Sequence, residues 1–340
     1  IELTSLERTT EGFFKAHGRD VHGQPKVFLG RNVVTALGGY QDEEATINAE
    51  ILPEISLRHD KYASKVMLTG QLFQPSGIRH ATELLRSVRS PRVAIIGGSH
   101  SAFSSAWVML RRIPGVRFSP DSISIHYRRK PKLSYASAAE AISDGYTEFT
   151  SQDICPKTKR VFRLAGLKFD SKNLARKVFG LDKEECEPRV RCVALSRETP
   201  KTLEEILDAA HLIVPAFGYR PQTLPLFGPC GERIRLFCEQ GRRPLVDDRC
   251  RVLDDTGQPI TGLFGIGLAA GFVPSGSLGG EPGFSGQTNG LWLYQNGVGR
   301  IILDGVLDRT HPESDPPGNG EKPPERLPLR RLCSLLFNDP

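Results

Sequence analysis

The chain has 340 residues, with 45 Lys and Arg against 39 Asp and Glu, a formal net charge of +6 and a hydrophobic fraction of 39%. That length accommodates roughly two domains of about 150 residues, each with a buried core. Charges of both signs are interspersed, which excludes an extended nucleic-acid-binding arm, and no apolar run approaches the roughly 20 residues of a membrane span.

Residues 1–11 read as polar and irregular, with no initiator Met and no signal-peptide pattern. Residues 12–40 read as short strands: 12–16, a turn over 18–24 in which His22-Gly23 supplies hairpin chemistry, 26–29, and 32–37 closing on Gly38-Gly39-Tyr40. A loop with Pro53 follows. Residues 79–89 have helical spacing, with Ile78, Ala81, Leu84, Leu85 and Val88 on one face, and Ser90-Pro91 ends that helix.

Arg92-Val93-Ala94-Ile95-Ile96 then reads as a buried strand, Gly97-Gly98-Ser99-His100-Ser101-Ala102 as a tight turn, and 103–112 as a helix stopped at Ile113-Pro114-Gly115. A strand feeding such a turn and helix presents backbone N–H groups to a pyrophosphate, so a nucleotide cofactor is expected. The turn matches the dinucleotide fingerprint G-x-G-x-x-G/A, with Ser99 where the second glycine usually lies. Ser99 would then sit farther from the pyrophosphate or donate its own hydroxyl. A strand-to-helix turn with no ligand is the alternative.

The next strand, 122–127, ends in Arg128-Arg129-Lys130-Pro131, which is 31 positions after Gly97 and fits one βαβ unit. A site for NADH places Asp or Glu here for the ribose 2′-OH, whereas Arg128 and Arg129 suit a 2′-phosphate. NADPH is therefore the expected cofactor, with a solvated basic turn as the alternative. His100, inside the turn, is either a contact to NADPH or substrate or a simply exposed residue.

Helices are expected at 136–142 and 171–179 and a strand at 191–195, and Thr202-Leu203-Glu204-Glu205 resembles a capping box opening a short helix. A strand at 210–214 runs into Pro215-Ala216-Phe217-Gly218-Tyr219-Arg220-Pro221, and another at 262–267 runs into the glycine-dense segment 271–290. Residues 290–307 have helical spacing, and the Pro-, Gly- and charge-rich tail 309–340 is expected to be disordered or loosely packed.

The seven cysteines form no C-x-x-C pair and no zinc spacing, which implies reduced structural thiols and a cytoplasmic protein. The eight histidines are scattered, so no catalytic triad or metal site is expected, and Asp247-Asp248 and Asp254-Asp255 read as solvated turns.

Residues 32–40 and 212–221 form a near-repeat, each an apolar strand followed by Ala, a bulky residue and Gly with Tyr nearby, and they bracket the nucleotide unit. On these residues the chain resembles the two-domain FAD- and NAD(P)H-dependent flavoproteins, namely the flavin-containing and N-hydroxylating monooxygenases and the related disulfide reductases. In that superfamily an FAD domain is interrupted by an NAD(P)H domain, with Ala-Thr-Gly-like strand ends at the crossings. Thr35-Ala36-Leu37-Gly38 and Pro215-Ala216-Phe217-Gly218 are similar to them, with Leu37 and Phe217 replacing the usual Thr. Gly262-Leu263-Phe264-Gly265-Ile266-Gly267 resembles the later FAD strand, Gln287-Thr288-Asn289-Gly290 the start of the helix that points at the flavin, and His59-Asp60-Lys61-Tyr62 the His-Ser-x-x-Tyr stretch of the monooxygenases.

There are three departures. The first FAD βαβ unit is absent, Leu268 stands where the reductases place an acidic residue, and their C-x4-C redox pair is missing. The chain reads as a segment of a longer flavoenzyme, or else as a degenerate homologue that no longer binds FAD.

The resemblance implies an α/β fold in which a Rossmann-like NAD(P)H-binding domain (56–205) is inserted in a partial FAD-binding domain (1–55 and 206–308), followed by the tail 309–340. It implies FAD and NADPH as cofactors. The cofactor contacts would be Gly97, Gly98, Ser99, His100, Ser101, Ala102, Arg128, Arg129, Gly38, Gly39, Tyr40, Gly218, Gly267, Gln287 and Thr288. The implied activity is NADPH-dependent reduction of FAD followed by hydroxylation of a small-molecule nucleophile at nitrogen or sulfur. Such chemistry requires placement and water exclusion rather than a protein acid or base, so no catalytic residue is assigned. A flavin-dependent oxidoreductase without oxygenation and a non-catalytic nucleotide-binding module are the alternatives. A small-molecule substrate is the expected partner, with no nucleic acid and no membrane span, and the sequence sets no oligomeric state.

Overall fold

The computed structural model describes residues 1–181, 185–195, 200–241, 243–274, 278–284 and 297–308. The first half of the chain contains β1 (Glu2–Arg8), β2 (Phe14–Arg19), β3 (Pro25–Gly30), β4 (Val33–Thr35), β5 (Gly39–Tyr40), α1 (Glu43–Ile47), α2 (Asp60–Ala63), α3 (Thr69–Leu72), α4 (Pro75–Arg86), β6 (Val93–Ile96), α5 (His100–Arg112), β7 (Ile123–Tyr127), α6 (Ala138–Ser143) and α7 (Phe169–Val178). The second half contains β8 (Val190–Ala194), α8 (Pro200–Ala209), β9 (Leu212–Pro215), β10 (Arg220–Pro221), β11 (Leu226–Phe227), β12 (Arg233–Ile234), β13 (Arg251–Leu253), β14 (Pro259–Gly265) and α9 (Gly299–Asp308).

The sheets show a chain that leaves one unit, builds another and returns. Strands β1, β2 and β3 form an antiparallel meander, extended by β11 and β12 from the far end of the sequence. Strand β4 pairs in parallel with β14 across more than two hundred residues, in register Val33 with Leu263. Between these flanking parts lies an all-parallel sheet in the order β8-β7-β6-β9.

All four residues of β6 and of β9 are buried, as expected of parallel strands covered on both faces. One face packs against α4, α5 and α7 through Leu85, Phe103, Met109 and Leu174. The other face packs against α8 and residues 51–62 through Leu203, Leu207, Ile51 and Leu57. A separate core around Phe14, Leu226, Phe264 and Ile302 serves the flanking sheets. The α/β fold with an inserted Rossmann-like unit is therefore observed.

Several elements differ from the sequence expectation. Residues 1–11 are not irregular, since β1 pairs with both β2 and β11. Its only buried side chain is Leu6, too little apolar signal to read in a mostly polar strand. Helix α4 starts four residues earlier than its spacing indicated, with Pro75 in its first turn, where a missing N–H costs nothing. Helix α8 starts at Pro200, so Thr202 lies inside it rather than at a capping-box N-cap.

A division at 205/206 would cut α8 and separate β9 from the sheet it completes, and residues 51–57 pack on that same sheet. The tail 309–340 and residues 287–290 lie outside the described residues.

Where α3 turns into α4, a Cβ on Gly77 would lie 2.0 Å from the Gln71 carbonyl oxygen, which is backbone and cannot yield. Gly77→Ala is expected to destabilise the protein by about 1–3 kcal/mol. The measurement is the urea midpoint at unchanged m-value, and an unshifted midpoint would contradict the crowding.

Candidate functional site

The parallel sheet reverses direction at β6. Strands β7 and β8 wind to one side and β9 to the other, so a crevice opens at the carboxyl ends of β6, β7 and β9. It encloses about 560 Å³ and is lined by Gly97, Ser99, Arg129, Leu167, Phe217 and Glu281 among others.

The floor of the crevice is the turn after β6. Gly97 has φ +140°, and a Cβ there would stand 2.5 Å from the Ala216 carbonyl oxygen. Its N–H donates to the His126 carbonyl at 2.7 Å, and the Ala216 N–H donates to Ile96 at the same distance. A Cβ on Gly98 would meet the Tyr127 Cβ at 2.7 Å. Both glycines are therefore demanded by close backbone approach to the neighbouring strands.

Ser99 is the N-cap of α5 in extended conformation (φ −112°), a conformation that needs no glycine, and its side chain makes no capping bond. Gly97, Gly98 and Ser99 carry the turn along the crevice up to the start of α5, and within the first turn of the helix the Ala102 N–H donates to the Ser99 carbonyl at 3.0 Å.

Of the two arginines, Arg128 is already engaged. Its Nη2 donates to the Glu50 carbonyl at 2.6 Å and the Ile51 carbonyl at 2.8 Å, fastening residues 49–51 as a wall of the crevice. Arg129 lines the same crevice and has no ion-pair carboxylate among the described residues. Lys130 is paired with Glu148, and its ammonium lies 5.8 Å from the centroid of the Phe179 ring.

His100, Ser101 and Ala102 fall outside the lining. The His100 Nε2 accepts the Lys168 backbone N–H at 3.1 Å, tying α5 to the start of α7. Its Nδ1 is buried without a partner among the described residues. Burial and then the Lys168 charge push its imidazole down to about 4. The Ser101 carbonyl accepts from Ser105, and Ala102 is core.

The other expected residues gather at the crossings. Tyr40 pairs with Arg220 and Gly39 with Pro221, and a Cβ on Gly39 would be 2.6 Å from that of Ala269. Gly38, Gly218 and Gly267 all have positive φ, and a Cβ on any of them meets nothing within 4 Å. Bare backbone beside open space is what a flat ring system needs to lie against it. Gln287 and Thr288 lie outside the described residues. Tyr62, in the motif at 59–62, is buried in the core formed with α8 and lines none of this crevice.

Three features were not anticipated. Gln41 knots the crossings together: its Oε1 accepts from Thr69 at 2.8 Å and from the Gly70 N–H at 2.7 Å, and its Nε2 donates to the Pro215 carbonyl at 3.3 Å. Thr69 in turn bonds the Tyr219 hydroxyl at 3.0 Å. His126, on the crevice floor, is 1% exposed and bonds Ser124 at 2.8 Å. The third is Glu281, whose carboxylate is buried in the crevice wall. The bonds of Gln41 and Glu281 join residues far apart in sequence and leave no local signal. The six described cysteines are free thiols, and no described helix is long and apolar enough to cross a membrane.

No family model matches the chain. It is 32% identical over 286 residues to the CMP-5′-(3-aminopropyl)phosphonate hydroxylase of Streptomyces rubellomurinus, a match covering 83% of this chain and 64% of that protein. The chain thus spans slightly less than two thirds of the length of that relative. Among solved structures it is similar to L-lysine 6-monooxygenase from Pseudomonas syringae at 14% identity and TM-score 0.43, over 91% of this chain and 70% of that one. It is also similar to the bacillithiol disulfide reductase of Bacillus cereus at 11% identity and TM-score 0.42, over 90% and 70% of the two chains. In sequence the chain is similar to that hydroxylase over most of its own length.

His126 gives the site a pH dependence. Burial first, and the Arg191 charge second, push its imidazole down to about 4, against an unfolded value of about 6.5. Between those values the unfolded chain binds the extra proton, so stability falls as pH drops through that window, and His100 adds to the fall. His126→Gln is expected to flatten the slope of unfolding free energy from pH 6.5 to 4 (about the window set by burial). An unchanged slope would remove His126 as its source.

Proposed function

We propose that this chain binds NADPH in the crevice and, together with FAD, belongs to a cytoplasmic monooxygenase that hydroxylates an amine nitrogen. One observation carries the nucleotide reading: Gly97 and Gly98, crowded by neighbouring backbone, open the first turn of α5 at the point where the sheet reverses direction. Arg129, at the end of β7, stands where a 2′-phosphate can be met by a bidentate guanidinium.

FAD supplies a hydride acceptor that, once reduced, activates oxygen. The chain's own part is placement. The turn at Gly97, Gly98 and Ser99 together with Arg129 would hold the dinucleotide, the carbonyls tied by Arg128 wall the crevice, and Gly38, Gly218 and Gly267 leave room for a ring at the crossings. Exclusion of water from the crevice would favour such chemistry, and no side chain has to move a proton.

The amine substrate is supported by the Streptomyces relative, whose name carries a primary amine and a phosphonate. The free thiols support the cytoplasmic setting. An oxidoreductase without oxygenation would share the crevice. The full-length protein is tested with NADPH, labelled oxygen and an aminoalkylphosphonate. Labelled hydroxylamine formed in step with NADPH consumption is expected, and NADPH oxidation without labelled product would overturn the monooxygenase reading.

Arg129→Ala is expected to weaken NADPH binding by about 10- to 100-fold while leaving NADH nearly unchanged. Arg128→Ala, by freeing residues 49–51, is expected to weaken both cofactors alike. Binding titrations with the two nucleotides read the difference, and an equal loss of both in Arg129→Ala would contradict a 2′-phosphate site.

A further inference from the structure

Glu281 is 5% exposed, and its carboxylate accepts hydrogen bonds from main-chain amides. Both carboxylate oxygens accept the Leu164 N–H at 3.0 Å, and Oε1 also accepts the Ala165 N–H at 2.8 Å. Two successive amides converging on one point form an anion-binding concavity. The local backbone is bent for it, with Phe162 at φ +43° and the Gly166 N–H turned back to the Phe162 carbonyl.

The surroundings are cationic. Glu281 acts electrostatically on Lys168, which in turn feels Arg160 and Arg163. Asp153, on the same lobe, is committed to Thr150 and Lys132. The concavity also opens on the proposed nucleotide crevice, because Ala165, Leu167 and Glu281 line it opposite the turn at Gly97.

The segment that carries Glu281 lies flush on this lobe. A Cβ on Gly280 would be 2.7 Å from the Leu164 Cδ1, and one on Gly279 would be 3.1 Å from the Arg163 Nη1. The Arg163 Nη1 donates to the Leu278 carbonyl at 2.5 Å, and the Gly283 N–H donates to the Gln152 carbonyl at 2.8 Å. On the lobe side the donors are the Leu164 and Ala165 N–H groups and the Arg163 guanidinium, which can turn from this segment to an anion. Burying a carboxylate is an expensive way to seat a loop when a neutral side chain would serve. A carboxylate is, however, the side chain that can stand in for a phosphate.

The geometry points to a phosphate or phosphonate subsite at the Leu164 and Ala165 amides, occupied in this state by Glu281, which gives way when a phosphorylated ligand enters the crevice. The subsite rests on the crevice taking such ligands and is independent of the oxidation chemistry. Glu281 and the ligand compete for the same two N–H groups, so loading the crevice releases residues 278–284 from the lobe.

The test uses full-length protein without cofactor substrates, so its outcome is separate from that of NADPH turnover. In Glu281→Ala the subsite is vacant. Melting temperature is expected to rise saturably with inorganic phosphate, against a chloride control of equal ionic strength, with a midpoint at least about tenfold lower in phosphate than that of the wild type. No saturable response in a folded Glu281→Ala would overturn the subsite.

Should that variant fail to fold, Glu281→Gln keeps the side-chain shape and weakens the competitor. Its phosphate affinity is expected to exceed that of the wild type by about tenfold, the worth of one charge-assisted hydrogen bond, and an equal affinity overturns the proposal. Adenosine 2′,5′-bisphosphate and methylphosphonate, titrated into the same variant, separate the sources. A gain confined to the first assigns the subsite to the cofactor, and one confined to the second assigns it to the substrate. A gain for neither overturns the subsite.

Discussion

The short antiparallel pairing of Gly39 and Tyr40 with Pro221 and Arg220 holds the two halves of the molecule in one arrangement. Through it the chain leaves the flanking sheets and later re-enters them, so any error there would be passed to every contact between the halves. Its tightness is steric: Gly39 has Ala269 on one side and the Arg220 carbonyl on the other, at distances no Cβ could accept. The polar contacts around Gln41 reinforce it, joining the outgoing chain, the start of α3 and the returning strand in a network with Tyr219. Asp42 adds an ion pair to Arg220 at 3.0 Å.

The site follows from that constraint. Strand β9 completes the parallel sheet and then becomes the return crossing, so its end, at Ala216 to Gly218, belongs to both units. The same carbonyl of Ala216 that crowds Gly97 fixes how the turn before α5 sits against the sheet. Gly218, just beyond β9, lines the crevice, so the return crossing and the turn at Gly97 share one wall. Arg128 contributes as a brace on the crevice wall, and Arg129 is left to meet a ligand.

What the sequence made legible is what local chemistry encodes. The order strand, small-residue turn, helix around Gly97 follows from apolar runs and turn residues, and the near-repeat at 32–40 and 212–221 does mark the two crossings. The two strands of that repeat nevertheless serve different sheets, β4 pairing with β14 and β9 with β6, because a repeat of pattern does not carry a pairing partner. The illegible part is the long-range part. Arg128 looks like a phosphate ligand until the carbonyls of Glu50 and Ile51, some 78 positions away, are seen to occupy its Nη2. Glu281 and its two amides depend on a backbone bend that no residue type announces. His100 reads from its place in the turn either as a ligand contact or as an exposed residue, and packing instead buries it with its Nε2 toward α7.

The central claim is that the crevice at the ends of β6, β7 and β9 is the NADPH site. Amide hydrogen exchange of the full-length protein with and without NADP⁺ tests it most directly. The account predicts protection at residues 97–101 and 128–132, with NAD⁺ giving less at the second segment. Protection absent from both segments while NADP⁺ is bound elsewhere would contradict it.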